Sequence, residues 1–371
     1  EPMKNTPETV RTLVKRAHAE TYLLIMLVAF AGAVIATRLF LELTGYPQLG
    51  NSVLHIAHAL WGGLLLILAA LIPLVVANHW ARILSAVLSG LGVGLFIDEV
   101  GKFITQQNDY FFPPAAPLVY ALFLLLLLLL FFVRRRRDAD PRAEMYRALT
   151  SLSELVDNNL DTRELEALLN HLGHAQQSPQ PQIAGLATAI HTYLLETPIP
   201  LLPATPSLWK RFTAALERGG RRIGRRPHRW VILLSMAVLS VGMVMALVLP
   251  LLSVVAPEPV GEGLVTWLVS GDDVQTAGSR FWFYLRLTLE GIVGCIALVA
   301  IYWFARGKEP QGARAALVAL LISLTGVVLL SFYLDQFSAT VTALVQFGVL
   351  LVVQAYRWWY LQPMIQDSEP V

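Results

Sequence analysis

The sequence predicts an all-α polytopic transmembrane helical bundle with about eight spans, and three observations carry that prediction. Charged residues make up 15% of the 371 residues and hydrophobic residues 56%, whereas a soluble domain carries about 25% charge. The mean hydropathy is +0.58. Several apolar runs reach the roughly 20 residues that a helix needs to cross hydrocarbon. Runs such as "ALFLLLLLLLFFV" (121–133) do not alternate apolar with polar residues, which excludes the strands of a β-barrel. Cys295 is the sole cysteine, so no internal disulfide forms, and its apolar setting marks it as a small packing residue.

Taken in order, the expected spans are 22–44, 53–77, 81–105, 115–133, 230–256, 281–305, 314–335 and 339–360. The first is too long for a cleaved leader, lacks a small-residue cleavage site and ends in Arg38 and Glu42. Orientation follows from flanking Lys and Arg. Lys4, Arg11, Lys15 and Arg16 precede the first span; "RRRR" (134–137) follows the fourth; "RRIGRRPHR" (221–229) precedes the fifth; Arg306, Lys308 and Arg314 follow the sixth. With eight spans all of these fall on one side, and the opposite loops, 45–52, 106–114, 257–279 and 336–338, hold no Lys or Arg. Both termini and the long middle segment are therefore expected on the cytoplasmic side of the cell (inner) membrane.

This gives a first four-span membrane half, 1–133, a cytoplasmic segment, 134–229, and a second four-span half, 230–371. In the middle segment Leu149, Leu152, Leu155 and Val156 recur at helical spacing, which reads as amphipathic helix. "TPIPLLPATPSLW" (197–209) reads as an extended linker. The basic amphipathic stretch 210–229 suits anionic lipid headgroups, although positive-inside charge on a solvated linker explains it as well. The halves share an order of events: a basic arm, a span, a second span with paired polar residues, a turn with "AR" at 81–82 or 313–314, and a third span closing in "FIDEVGKF" or "FYLDQFSA". That order is compatible with a parallel duplication.

Within the spans the ionisable residues concentrate toward the outer side. Arg38 and Glu42 end the first span, His55 and His58 open the second, and Asp98, Glu99 and Lys102 sit in the outer third of the third. Asp335 closes the seventh span. At ~1.5 Å per residue, Arg286 lies roughly 9 Å inside the sixth span and Glu290 near the bilayer centre. A charge at that depth costs at least ~2.5–3.5 kcal/mol and must face a partner or water. The pairs Arg38/Glu42, Asp98/Lys102 and Arg286/Glu290 are each four residues apart, on one helical face. Gly90 and Gly94 continue the stripe of Asp98 and Lys102, so close helix packing and charge share one face.

His55 and His58, three apart, could join Asp98 or Glu99 as nitrogen and oxygen ligands of a divalent metal. The same residues serve equally as a proton-titrating ion pair or as structural polar packing. His79 reads as an interface residue, and His171, His174 and His191 as incidental. The nine tryptophans fall near span boundaries as an aromatic belt. The loop 257–279 is acidic and reads as flexible or as a lid.

"HIAHALWGG", "GLGVGLFIDEVGKF" and "NDYFFPP" resemble a group of uncharacterised bacterial integral membrane proteins with a histidine motif opening one span and a Gly-rich span ending in Asp-Glu. The resemblance covers about residues 51–120 and implies that His55, His58, Asp98 and Glu99 belong together. Ala57 stands where the fuller histidine pattern has another His, which counts against a metal site. No activity comes with the resemblance.

No nucleotide-binding loop, haem motif or HExxH is present, no tract points to nucleic acid, and no catalytic constellation stands out. Three expectations remain. The first is a solute or ion permease, with proton coupling through the intramembrane carboxylates and histidines. The second is a membrane-embedded metal-dependent hydrolase built on His55, His58, Asp98 and Glu99. The third is a non-catalytic membrane subunit or scaffold that binds a partner through 138–228.

Overall fold

The computed structural model describes residues 14–45, 58–106, 112–134, 140–202, 218, 224–255, 277–336 and 339–361, with the side chains of 243–255 and 277–280 left out. The helices are α1 (Ala19–Thr44), α2 (His58–Val75), α3 (His79–Asp98), α4 (Val100–Ile104), α5 (Ala115–Arg134), α6 (Pro141–Val156), α7 (Thr162–Ala175), α8 (Pro181–Glu196), α9 (Arg225–Val255), α10 (Ala277–Ala305), α11 (Glu309–Ile322), α12 (Val328–Asp335) and α13 (Ala339–Tyr356). Short π-helical turns, Ser323–Val327 and Arg357–Leu361, join α11 to α12 and extend α13. Among the described residues the only β contact is an isolated bridge from Asp161 to Leu202. The chain is thus an all-α polytopic bundle.

Seven described helical segments are long and apolar enough to span a membrane. They correspond to every expected span except 230–256, which falls in the 31-residue α9. The chain divides into two compact units: residues 1–99 with 125–207, and residues 100–124 with 208–371.

In the first unit α3 packs on both α1 and α2, and glycine sets the distances. A Cβ at Gly90 would lie 2.3 Å from the Met26 carbonyl oxygen, and one at Gly94 2.7 Å from Ala33 Cβ. On the facing side, a Cβ at Gly62 would meet Phe96 N at 2.6 Å, and one at Gly92 the Gly62 oxygen at 2.9 Å. Small residues let helix backbones approach where hydrocarbon gives no hydrophobic drive to associate. The pairings show that α1 and α3 run parallel while α2 runs against α3. Pro73 lies inside α2 and cannot donate to the carbonyl of Ala69. The hydroxyl of Ser85, on α3, donates to that carbonyl at 2.7 Å.

Helices α6–α8 bring their own small core: Met145, Ala148, Leu160, Leu168, Leu172, Ala175, Ala187 and Leu194. An Asp161–Glu164 capping box starts α7. The buried stripe of α6 is Met145, Ala148, Leu152 and Leu155, at steps of three, four and three. Leu149 and Val156, expected on that face, are 45% and 81% exposed, because they fall on the neighbouring stripe. His171 is not incidental: its Nδ1 pairs with the buried Glu144 at 2.6 Å, and Arg147 pairs with the same carboxylate.

In the second unit, α9–α13 and the start of α5 share one apolar core that includes Ile232, Met236, Val293, Ala297, Phe304, Leu320, Val328 and Tyr356. The Tyr120 hydroxyl donates to the Leu324 carbonyl in the first π turn at 2.9 Å, and its ring stacks on Phe332 at 4.7 Å. Tyr120→Phe keeps the stacking and strips the donor. It is expected to cost ~1–3 kcal/mol, the penalty of an unsatisfied buried carbonyl, read as a lower thermal midpoint in detergent.

Candidate functional site

The polar residues singled out in the spans gather into one site in each unit. The first forms where α3 ends. Asp98 is the last helical residue, Glu99 leaves the helix with φ −95° and ψ 13°, and their side chains are 0% and 1% exposed. Arg38 Nε donates to Asp98 Oδ1 at 2.7 Å, and Arg38 Nη2 donates to the Asp98 carbonyl at 3.1 Å. His58 bridges both acids, with Nε2 3.1 Å from Asp98 Oδ2 and Nδ1 3.2 Å from Glu99 Oε1. The backbone N–H of Ala59 donates to Glu99 Oε2 at 3.0 Å. Each carboxylate oxygen therefore has a polar nitrogen within reach, and α1, α2 and α3 are tied at one point.

This geometry alters the expected pairing. Arg38 turns across to Asp98 instead of along its own helix to Glu42, which is exposed. A buried carboxylate from a neighbouring helix outcompetes an exposed one that water already solvates. Lys102 is half-buried in α4, which belongs to the other unit. His55 lies outside the described residues. Among the described residues no group of three or more His, Cys, Asp or Glu side chains is arranged to hold a metal ion. His58, Asp98 and Glu99 are instead engaged with one another.

The second site is a cavity of about 270 Å³ among α9, α10, the first π turn, α12 and α13. Arg286 Nε donates to Glu290 Oε1 at 2.9 Å, and Arg286 Nη1 donates to Asp335 Oδ2 at 2.7 Å. The two helices that carry these acids thus clamp one guanidinium in the cavity wall. Gln346 completes the polar lining, and its Oε1 is buried with no hydrogen-bond partner among the described residues. Ser323 and Val327, the ends of the π turn, line the same cavity; such turns often mark functional sites. Among the described lining residues one cation stands against two carboxylates, a formal balance of minus one.

Sequence reasoning missed a third cluster. Glu309, at the start of α11, receives Arg225 at 2.6 Å and Arg229 at 3.4 Å, and the buried Tyr356 hydroxyl also donates to it. Arg229 further donates to the Phe304 carbonyl at 3.0 Å. Hydrogen bonding to Glu309 raises the Arg225 pKa above its already high range. These two arginines of the basic stretch 210–229 therefore turn onto a protein carboxylate; residues 210–217 and 219–223 lie outside the described residues. The available signal was a lone acid in a turn otherwise lined by Arg306, Lys308 and Arg314.

No family model, curated protein or solved structure matches the chain.

Proposed function

We propose that this integral membrane protein is a proton-coupled permease for a small solute or ion, with the Arg286–Glu290–Asp335 cavity as the solute site. One observation carries the reading: a cavity in the helical bundle holds three ionisable side chains and an amide oxygen that no described residue satisfies. Charges in a span are expensive and mark pathways when they face a cavity. The formal negative balance favours a solute that is cationic or rich in hydrogen-bond donors. Proton coupling falls to the intramembrane carboxylates and to His58, which bridges Asp98 and Glu99. The one-sided Lys and Arg distribution supports both termini in the cytoplasm of the cell that carries this chain in its inner membrane.

The test needs no knowledge of the solute. In a Cys295→Ser background, Gln346→Cys should react with an impermeant methanethiosulfonate reagent from either face of oriented vesicles, because a permease opens its site to both sides. Reaction from one face alone, or from neither, would remove the permease reading.

A membrane scaffold is the second reading, favoured by the exposed Tyr146, Val156, Tyr193 and Leu195 of α6–α8. It predicts a protein that copurifies with the full chain and is lost when Tyr193 and Leu195 become Ser. The metal-dependent hydrolase draws no support from the described ligand set.

A further inference from the structure

Near the starts of α1 and α3, a second group of polar atoms in the first unit is left without use. Tyr22 Oη, His79 Nε2, Arg82 Nε and Arg82 Nη2 are all buried, and none has a hydrogen-bond partner among the described residues. A guanidinium cannot shed its proton, so two buried donors of one fork with no hydrogen-bond partner among the described residues call for an acceptor.

These atoms belong together. The Tyr22 and His79 rings lie 6.0 Å apart, and the His18 and His79 rings 5.8 Å apart. Arg82 follows His79 by three residues, on the same face of α3. Because α1 and α3 run parallel, their first turns meet here. Neither start is capped by a side chain: His18 and Asn78 make no capping hydrogen bond, and the Asn78 amide goes to Asp157 instead. The positive ends of two helices thus add to Arg82. The acidic groups near the region are Glu20, Glu154, Asp157, Asp161 and Glu164, and Arg82 stands among them as the facing cation. Glu154 lies 3.7 Å from His79 Nδ1. Burial first, then Glu164, pushes the Glu154 pKa up toward its neutral form, while Arg82 lowers it. Tyr22, His79 and Arg82 are each only half-buried as whole residues, so the group has an edge open to its surroundings.

We propose that Tyr22, His79 and Arg82 form a binding site for one phosphate-type oxyanion. Nε and Nη2 of Arg82 present the two-pronged donor geometry that matches two oxygens of such an anion, and the Tyr22 hydroxyl and His79 Nε2 supply the flanking contacts. The site stands at the ends of two membrane helices, where that chemistry comes either from an anionic lipid headgroup or from free phosphate.

The experiment uses the full chain. Thermal midpoints in detergent are followed against inorganic phosphate at constant ionic strength. In parallel, native mass spectrometry counts phosphatidylglycerol retained from nanodiscs of phosphatidylglycerol and phosphatidylcholine. Wild type is expected to bind one probe saturably at one per chain. A phosphate response identifies the free anion, and retained phosphatidylglycerol without a phosphate response identifies a headgroup. Arg82→Gln should weaken binding at least tenfold and Tyr22→Phe about threefold, with Arg142→Gln, on the distant α6 start, unchanged. Should Arg82→Gln fail to fold, Tyr22→Phe decides, because it preserves the ring and its packing. No saturable binding of either probe by wild type, or undiminished binding in Tyr22→Phe, overturns the proposal.

Discussion

Asp98→Ala is expected to lower the stability of the membrane unit by about 3–5 kcal/mol. The removed carboxylate satisfies Arg38 from α1 and His58 from α2, and its own atoms are fully enclosed. Truncation takes the carboxylate away from a guanidinium that is 11% exposed. Three helices lose their common junction together, so the loss should appear as a cooperative fall in thermal midpoint. Asp98→Leu combined with Arg38→Met separates the cause: if the penalty is an uncompensated charge, removing both partners should recover most of it. A double variant as unstable as Asp98→Ala would mean that the ion pair holds the helices by attraction. A single variant within about 0.5 kcal/mol of wild type would mean that the junction is not intact in the protein.

Gly90→Ala should be nearly as damaging, although it adds a single methyl group. That methyl would meet the Met26 carbonyl oxygen at 2.3 Å, Ala29 Cβ at 2.7 Å and the Phe30 nitrogen at 2.9 Å. Two of these three are backbone atoms of α1, which cannot swing aside as a side chain can. The helices must separate, and the cost is at least the ~1–3 kcal/mol of an overpacked core. Separation also lengthens the Arg38–Asp98 bond further along the same helix pair. Gly32→Ala on α1 is the control, because nothing lies within 4 Å of its Cβ position; it should be neutral or slightly stabilising, since alanine is the better helix former. Equal thermal midpoints for the two variants would show that α1 and α3 are not in close contact.

The helices were legible because a bilayer imposes length and apolarity on a continuous stretch, and both survive in one dimension. Their register was legible in part. The stripe of Gly90 and Gly94 announced a close approach, and Arg286 with Glu290 could be paired because four residues return a helix to the same face. Partners on different helices were not legible. Arg38 has Glu42 four residues away, yet Asp98, sixty positions on, takes it, because enclosure strengthens an ion pair and exposure weakens it. Glu309 shows the same difficulty: it is joined to Arg225, 84 positions away, and to Tyr356, 47 away. On α6, spacing alone admitted two adjacent stripes, and only contact with α7 and α8 selects Met145 and Ala148 over Leu149 and Val156.

Pro73 and Ser85 show what such pairing means over generations. Once the proline is present, a lineage that exchanges the serine for alanine carries a bare Ala69 carbonyl in hydrocarbon, and selection should purge it. A lineage that first loses the proline regains the ordinary helical bond and is then free to drift at position 85. The two positions are therefore expected to change in one temporal order and not the other, so that descendants keeping the ring also keep a hydroxyl twelve residues downstream.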